Sequence, residues 1–402
     1  MKLSQLVAPL ALGLASIVSA QSRMPEVEQP PSFRASEILP PELIKSSLHR
    51  IREHCPSDGF MIHFQIDTNF GEIKCHGMNQ LAETINELRA IKSLATTSHS
   101  DSFAQAMAQV SSPPEANTPN APSLPRLSVS HFFQNTAASS SKNQATTSAD
   151  NSKKSTAPNK KASKAKAGDW IKTKLRCAKT LGINPYTSNS VLQRQLDKVS
   201  WVFHNSNEKL EIKQREIPSN IASLMDARHT TGLPNDIYTK TPSELLIADR
   251  NSLLKMGAPE PLIDGVLLNI DLSTSLRHSL IEALKKLPAA GDRFNILGIA
   301  ADCTSHEQAR YLNQVMVKLA AQHKLTPYQS LTIVAKMPAG ITADGHLDVV
   351  APVDYISWTP RLIEFARTPK QPGINYRARI FGQISPTAKA GFQASGWTVI
   401  TK

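Results

Sequence analysis

The sequence predicts a mixed α+β protein: a small α-β-β-α unit followed, after a tether, by a larger domain with a helical layer and then a small sheet. Three observations carry that expectation. Apolar residues recur at helical spacing around 78–94 and repeatedly between 192 and 323. The period changes to strand-like alternation after residue 330. Between the two regions, residues 111–167 are rich in Ser, Thr, Ala, Asn, Pro and Lys and poor in apolar side chains. With 402 residues the chain has room for two domains.

The start of the chain reads as an export signal. Lys2 supplies a positive charge, residues 6–18 are apolar or small, and Val18-Ser19-Ala20 predicts cleavage between Ala20 and Gln21. This apolar run is shorter than the ~20 residues that a membrane-spanning helix needs. Residues 1–20 are therefore expected to be removed, leaving an exported protein that is periplasmic or secreted. Residues 21–37 are polar and proline-bearing, a loose lead-in.

Residues 35–110 form the expected small domain. Leu43, Ile44, Leu48 and Ile51 predict a helix over 35–54, which Cys55-Pro56-Ser57-Asp58-Gly59 ends. Strands are predicted at 60–66 and 72–76, joined by Asp67-Thr68-Asn69-Phe70-Gly71. Leu81, Ile85, Leu88 and Ile91 predict a second helix over 78–94. After the expected disordered linker (111–167), the C-terminal domain spans 169–402. Its first amphipathic helix carries Leu192, Leu196, Val199 and Phe203. Thr241-Pro242-Ser243-Glu244 combines an N-cap, a proline at the first helical position and a capping-box glutamate, and Gly257 supplies the stop. Further helices are expected near 261–268, from Ser273, near 292–302, and from a capping box at Thr304-Ser305-His306-Glu307. Strands follow at 331–336 and 347–353, with Thr342-Ala343-Asp344-Gly345 as a turn. Thr359-Pro360 starts a short helix, and the chain ends in a β-α-β tail at 377–382, 385–395 and 397–401.

The formal charge of +12 is concentrated: residues 142–179 hold eleven Lys or Arg against two acids, a local excess of nine. The rest of the chain is near neutral, so its folded domains are not expected to bind nucleic acid. The basic stretch could engage an anionic envelope polymer by counterion release. Four cysteines permit three full pairings in an oxidising compartment, of which Cys55–Cys75 is the favoured bridge because both lie in the small unit.

No P-loop, G-x-G-x-x-G, G-x-S-x-G or H-E-x-x-H motif is present, and no cofactor or metal is expected. His306-Glu307 lacks the second histidine of a zincin, where Arg310 stands, so Glu307 reads as a capping residue. His54-Cys55 and Cys75-His76, with His63 between them, have the composition of a zinc site. Strand alternation would send Cys75 and His76 to opposite faces, which favours the disulfide. Asp344, Asp348, Asp354 and His346 cluster around the predicted hairpin and are the candidates for hydrolytic chemistry.

Asn184-Pro185-Tyr186-Thr187-Ser188-Asn189, with Leu192, Leu196 and Trp201, resembles a "DPYSTNPxLxxxLxxxAW" block. That block belongs to a group of exported bacterial proteins with no assigned activity. Leu253-Leu254-Lys255-Met256-Gly257, Glu307-Gln308-Ala309-Arg310, Pro352-Val353-Asp354-Tyr355 and the stretch from Gly382-Gln383-Ile384-Ser385-Pro386 to Gly396-Trp397 carry the same resemblance. Ser190 stands where the group has proline, and residues 111–167 differ in composition from its middle segment. The resemblance implies no catalytic residue. The leading expectation is an exported, non-enzymatic binding or scaffolding protein with an envelope partner; an exported hydrolase and a polyanion binder are the alternatives.

Overall fold

The computed structural model describes residues 25–110, 160–206, 208–209, 212 and 233–401, with 160–169 as backbone alone. The export signal and its Ala20/Gln21 cleavage point lie outside the described residues, as does the expected linker up to residue 159. From Lys160 onward the chain is helical. The fold is mixed α+β, as the periodicity predicts. No helix among the described residues is long and apolar enough to cross a membrane.

The lead-in is pinned at its end. Glu28 N–H donates to the Trp358 carbonyl (3.1 Å), the Trp358 indole donates to the Pro25 carbonyl (3.2 Å), and Ser385 Oγ donates to the Glu28 carboxylate (2.6 Å). This segment therefore lies against the C-terminal part of the chain. Strand β1 (Ser32–Arg34) then opens the N-terminal unit.

The helix expected over 35–54 is instead two short helices, α1 (Ala35–Ile38) and α2 (Pro41–Ile44), and two strands, β2 (His49–Ile51) and β3 (His54–Pro56). Pro40-Pro41 explains the break. Each proline drives the residue before it out of the α region, and Leu39 and Pro40 have ψ 142 and 147. Strands β4 (His63–Thr68) and β5 (Gly71–His76) form the predicted hairpin, and β2 adds to give the antiparallel order β2-β4-β5. β1 pairs separately with β3.

Helix α3 (Met78–Ser98) joins two cores. Its first half packs Leu81, Ala82 and Ile85 with Leu43, Ile51, Phe64 and Ile66 in the core of the small unit. Its second half, with α4 (Asp101–Gln109), belongs to a different cluster. There Leu88, Ile91, Leu94 and Phe103 pack with Cys177 of α5 (Lys160–Leu181) and Leu192, Leu196 and Val199 of α6 (Ser190–Asn205). Residues on either side of 111–159 thus share one core.

The helical layer comprises α7 (Pro242–Lys255), α8 (Glu260–Leu268), α9 (Thr274–Lys285), α10 (Arg293–Ala301) and α11 (His306–Leu325). Thr241 and Glu244 make the predicted capping box on α7. The cap of α11 is displaced by one residue. Ser305 Oγ accepts from Gln308 N (3.2 Å) and the Gln308 side chain accepts from Thr304 N (3.0 Å), so Glu307 is not the capping-box acid.

The sheet holds β6 (Tyr328–Val334), β7 (Met337–Thr342), β8 (His346–Ala351), β10 (Asn375–Ile380) and β12 (Thr398–Thr401) in the order β12-β10-β8-β7-β6. β6, β7 and β8 are antiparallel neighbours, whereas β8, β10 and β12 are parallel. Parallel pairs need crossovers, supplied by α12 (Pro360–Ala366) and α13 (Pro386–Ala394). β9 (Tyr355–Ile356) and β11 (Gln383–Ile384) form a small separate parallel pair. β7 escapes the sequence reading because Pro338 and Gly340 interrupt it. Gly340 is required by packing: a Cβ there would stand 2.5 Å from the Tyr328 ring.

Candidate functional site

Pairing of β8 with β10 sets Val349 beside Ala378 and Ala351 beside Ile380 on one face of the sheet. These four line a cavity of about 490 Å³, together with Leu362 and Phe365 of α12, Phe392 of α13, Tyr311 of α11, and Phe60 and Met61 of the N-terminal unit. The volume falls within the ~300–1,000 Å³ of small-molecule sites, and an apolar lining with a few polar groups is their usual make-up. Two small alanines in the sheet leave the space; the hairpin unit and α11 complete the wall.

The charged residues of this lining are Asp58, His76, Glu307, Arg310 and Arg361. Most are engaged by the protein itself. Asp58 Oδ1 accepts from Phe60 N (2.8 Å) and Met61 N (2.7 Å), and its Oδ2 faces His63 Nε2 at 3.2 Å. The Glu307 carboxyl is held below its ordinary range by a hydrogen bond from its own backbone N–H and another from Ser305. Arg310 pairs with Glu83, and although burial opposes its charge, that partner raises its pKa. The His76 ring lies edge-on to His63 with centroids 4.7 Å apart. Arg361 is exposed and, among the described residues, has no ion-pair partner.

The Asp344, Asp348, Asp354 and His346 cluster is not assembled. Asp344 caps the hairpin turn, accepting from Thr342 Oγ1 and facing His346 Nδ1 at 3.3 Å. Asp348 is fully buried on the sheet face opposite the cavity. There it receives Arg377 Nε (2.6 Å), Arg379 Nε (2.7 Å) and Tyr328 Oη (3.2 Å). Asp354 accepts from Ile62 N (3.0 Å) and Met78 N (3.2 Å), tying the hairpin and the start of α3 to the end of the sheet. Burial pushes its carboxyl up to about 6, against the two N–H groups that lower it. Each aspartate has a separate structural task.

Two buried polar clusters have no counterpart in the sequence reading. Glu87 accepts from Thr187 Oγ1 and from Asn189 Nδ2 (3.0 Å), so the Asn184–Asn189 loop closes over α3. Burial, reinforced by Glu83, pushes the Glu87 carboxyl up to about 7. The adjoining polar chamber, lined by Glu83, Asn184, Thr187, His306, Arg310 and Asn313, measures only about 40 Å³.

The second cluster is a chain: Asp249 Oδ1 to His278 Nδ1 (2.5 Å), then His278 Nε2 to Asp236 Oδ1 (2.9 Å), with Arg277 Nε also on Asp249 (2.9 Å). Burial opposes the charge on His278, but the hydrogen bonds and charges of the two carboxylates outweigh it and raise its pKa. Both ring nitrogens are committed to carboxylates, so neither is left to take a proton from a nucleophile.

The expected Cys55–Cys75 disulfide is not formed; both are buried free thiols, as are Cys177 and Cys303. Cys55 lies on β3 opposite Phe33, with its Sγ 3.6 Å from the Arg52 carbonyl. Cys75 lies on β5 opposite Phe64, with its Sγ 3.3 Å from Thr84 Oγ1. The two belong to different sheets and point into the core as apolar residues. Burial raises the thiol pKa of both to about 11, far from a nucleophilic thiolate. Alternation turns the neighbouring His54 and His76 outward, and no group of three or more His, Cys, Asp or Glu able to hold a metal occurs among the described residues. Comparisons with protein-family models, curated proteins and solved structures found no match.

Proposed function

We propose that the protein is an exported, non-enzymatic binding protein whose ligand occupies the cleft between the N-terminal unit and the face of β8 and β10. One observation carries the reading: the cleft is broad and apolar, while its acids and Arg310 are consumed by structural partners. Hydrolysis needs a poised base or nucleophile within reach of substrate; binding needs only apolar surface and an orienting group.

Ala378 is buried and lines the cavity, so Ala378→Leu adds apolar volume where space exists. The test is binding of an environment-sensitive naphthyl probe to the full mature chain. The substitution should abolish probe binding and leave thermal unfolding unchanged or raised. Unaltered probe binding in a folded variant would refute the cleft as the site. N-terminal sequencing of protein recovered from the periplasm should begin at Gln21.

The excess of nine positive charges over residues 142–179 supports a second reading, contact with an anionic envelope polymer. Deleting residues 142–167, which hold seven of the eleven Lys or Arg, should then remove most of the salt-sensitive retention on heparin while sparing probe binding; retention unchanged by the deletion would remove this reading.

A further inference from the structure

We infer that the ligand of the cleft is an amphiphile with an anionic head, and that Arg361 is the residue that receives the head. This deepens the reading of the cleft as a binding site and rests on it.

The argument is one of charge accounting around the cavity. Asp58 has both carboxylate oxygens occupied, one by two backbone N–H groups and the other by His63. Glu307 is turned onto the start of its own helix, and Arg310 is committed to Glu83. The cation left over is the Arg361 guanidinium, exposed and with no ion-pair partner among the described residues. A cationic head would be repelled by this guanidinium. A neutral ligand would leave it unused. A carboxylate or phosphate can take two parallel N–H bonds from a guanidinium, a match in geometry as well as sign.

The body of the ligand follows from the wall. Val349, Ala351, Ala378 and Ile380 present small aliphatic groups, and Phe60, Phe365 and Phe392 add aromatic surface. An alkyl or aryl body gains from burial there at ~25 cal/mol per Å² removed from water. The neutral side chains Gln80, Gln308 and Gln314 add hydrogen-bonding capacity without charge.

The experiment uses the full mature chain and four twelve-carbon probes competing with the naphthyl reporter: dodecanoate, dodecyl phosphate, dodecanol and dodecyltrimethylammonium. Dodecanoate or dodecyl phosphate should bind about tenfold more tightly than dodecanol, and the ammonium probe more weakly still. Whichever of the two anions binds better identifies the head group. Arg361→Gln should remove the anion preference while leaving dodecanol affinity unchanged, and Arg361→Lys should restore part of it. Equal affinity of anion and alcohol overturns the inference, as does a loss in Arg361→Gln shared by all probes. If dodecanol binds and Ala378→Leu blocks it, the cleft reading stands even when the head-group inference falls. If no probe binds the folded protein, both fall.

Discussion

Glu87→Gln isolates a pH-dependent part of the stability. Glu87 is 7% exposed, and burial pushes its carboxyl from 4.5 up to about 7, with Glu83 adding to the rise. Bonds from Thr187 and Asn189 and the charge of Arg310 oppose the rise without cancelling it. The folded protein therefore holds this proton more tightly than the unfolded chain does. The resulting stabilisation is fully present below pH ~4.5 and is lost as pH rises through about 7. At ~1.4 kcal/mol per pH unit the whole effect is about 3 kcal/mol. Glutamine is neutral throughout, and its amide can donate to Thr187 Oγ1 while its oxygen accepts from Asn189. The unfolding free energy of Glu87→Gln relative to the parent should therefore rise by up to about 3 kcal/mol between pH 4.5 and 8. Urea unfolding followed by tryptophan fluorescence at both pH values reads this difference, in which the titrations common to both proteins cancel. A gap between variant and parent that is the same at both pH values would refute the reasoning.

Asp354→Ala removes the acceptor for two buried N–H groups and should cost about 2–3 kcal/mol, with earlier proteolysis around residues 60–78 than in the parent. Gly340→Ala forces a methyl to within 2.5 Å of the Tyr328 ring and should cost about 1–3 kcal/mol by thermal unfolding, whereas Gly298→Ala, in open space within α10, should cost nothing measurable. Arg377→Leu leaves the buried Asp348 with one guanidinium and should destabilise by about 3 kcal/mol; a variant as stable as the parent would show that Arg379 and Tyr328 suffice. The four cysteines should resist thiol reagents in the folded protein and react under non-reducing denaturation, and a disulfide found by mass spectrometry would contradict their separation.

Locally encoded elements were the legible ones. Thr241 with Glu244, Ser273, Thr359-Pro360 and Ser385-Pro386 cap their helices where the sequence predicts, because the signal and its hydrogen bonds lie within one turn. Elements decided at a distance were not. Leu48 and Ile51 fit a helical repeat, yet Ile51 pairs with Ile66 in a sheet. Gly340 reads as a breaker until the Tyr328 ring is placed over it. Of the cleft, Glu307 and Arg310 stand out in the sequence only beside an incomplete zinc motif. Phe60, Ala378 and Arg361 carry no local signal, since the cavity exists only where the hairpin unit meets the sheet. Asp354, by sequence a candidate for hydrolytic chemistry, instead holds that junction together.

The core shared by α3, α4, α5 and α6 makes residues 111–159 an insertion rather than a bridge between independent bodies. Lengthening such a closed segment is cheap, with each doubling costing about 0.6 kcal/mol in loop entropy. Replacing it with an unrelated sequence should likewise leave the fold intact. A cut within it would yield two chains held by Leu88, Ile91 and Leu94 against Leu192, Leu196 and Val199. Coexpressed as separate polypeptides, residues 21–130 and 140–402 should therefore reassemble the cleft, with the first supplying Phe60 and Met61 and the second the sheet.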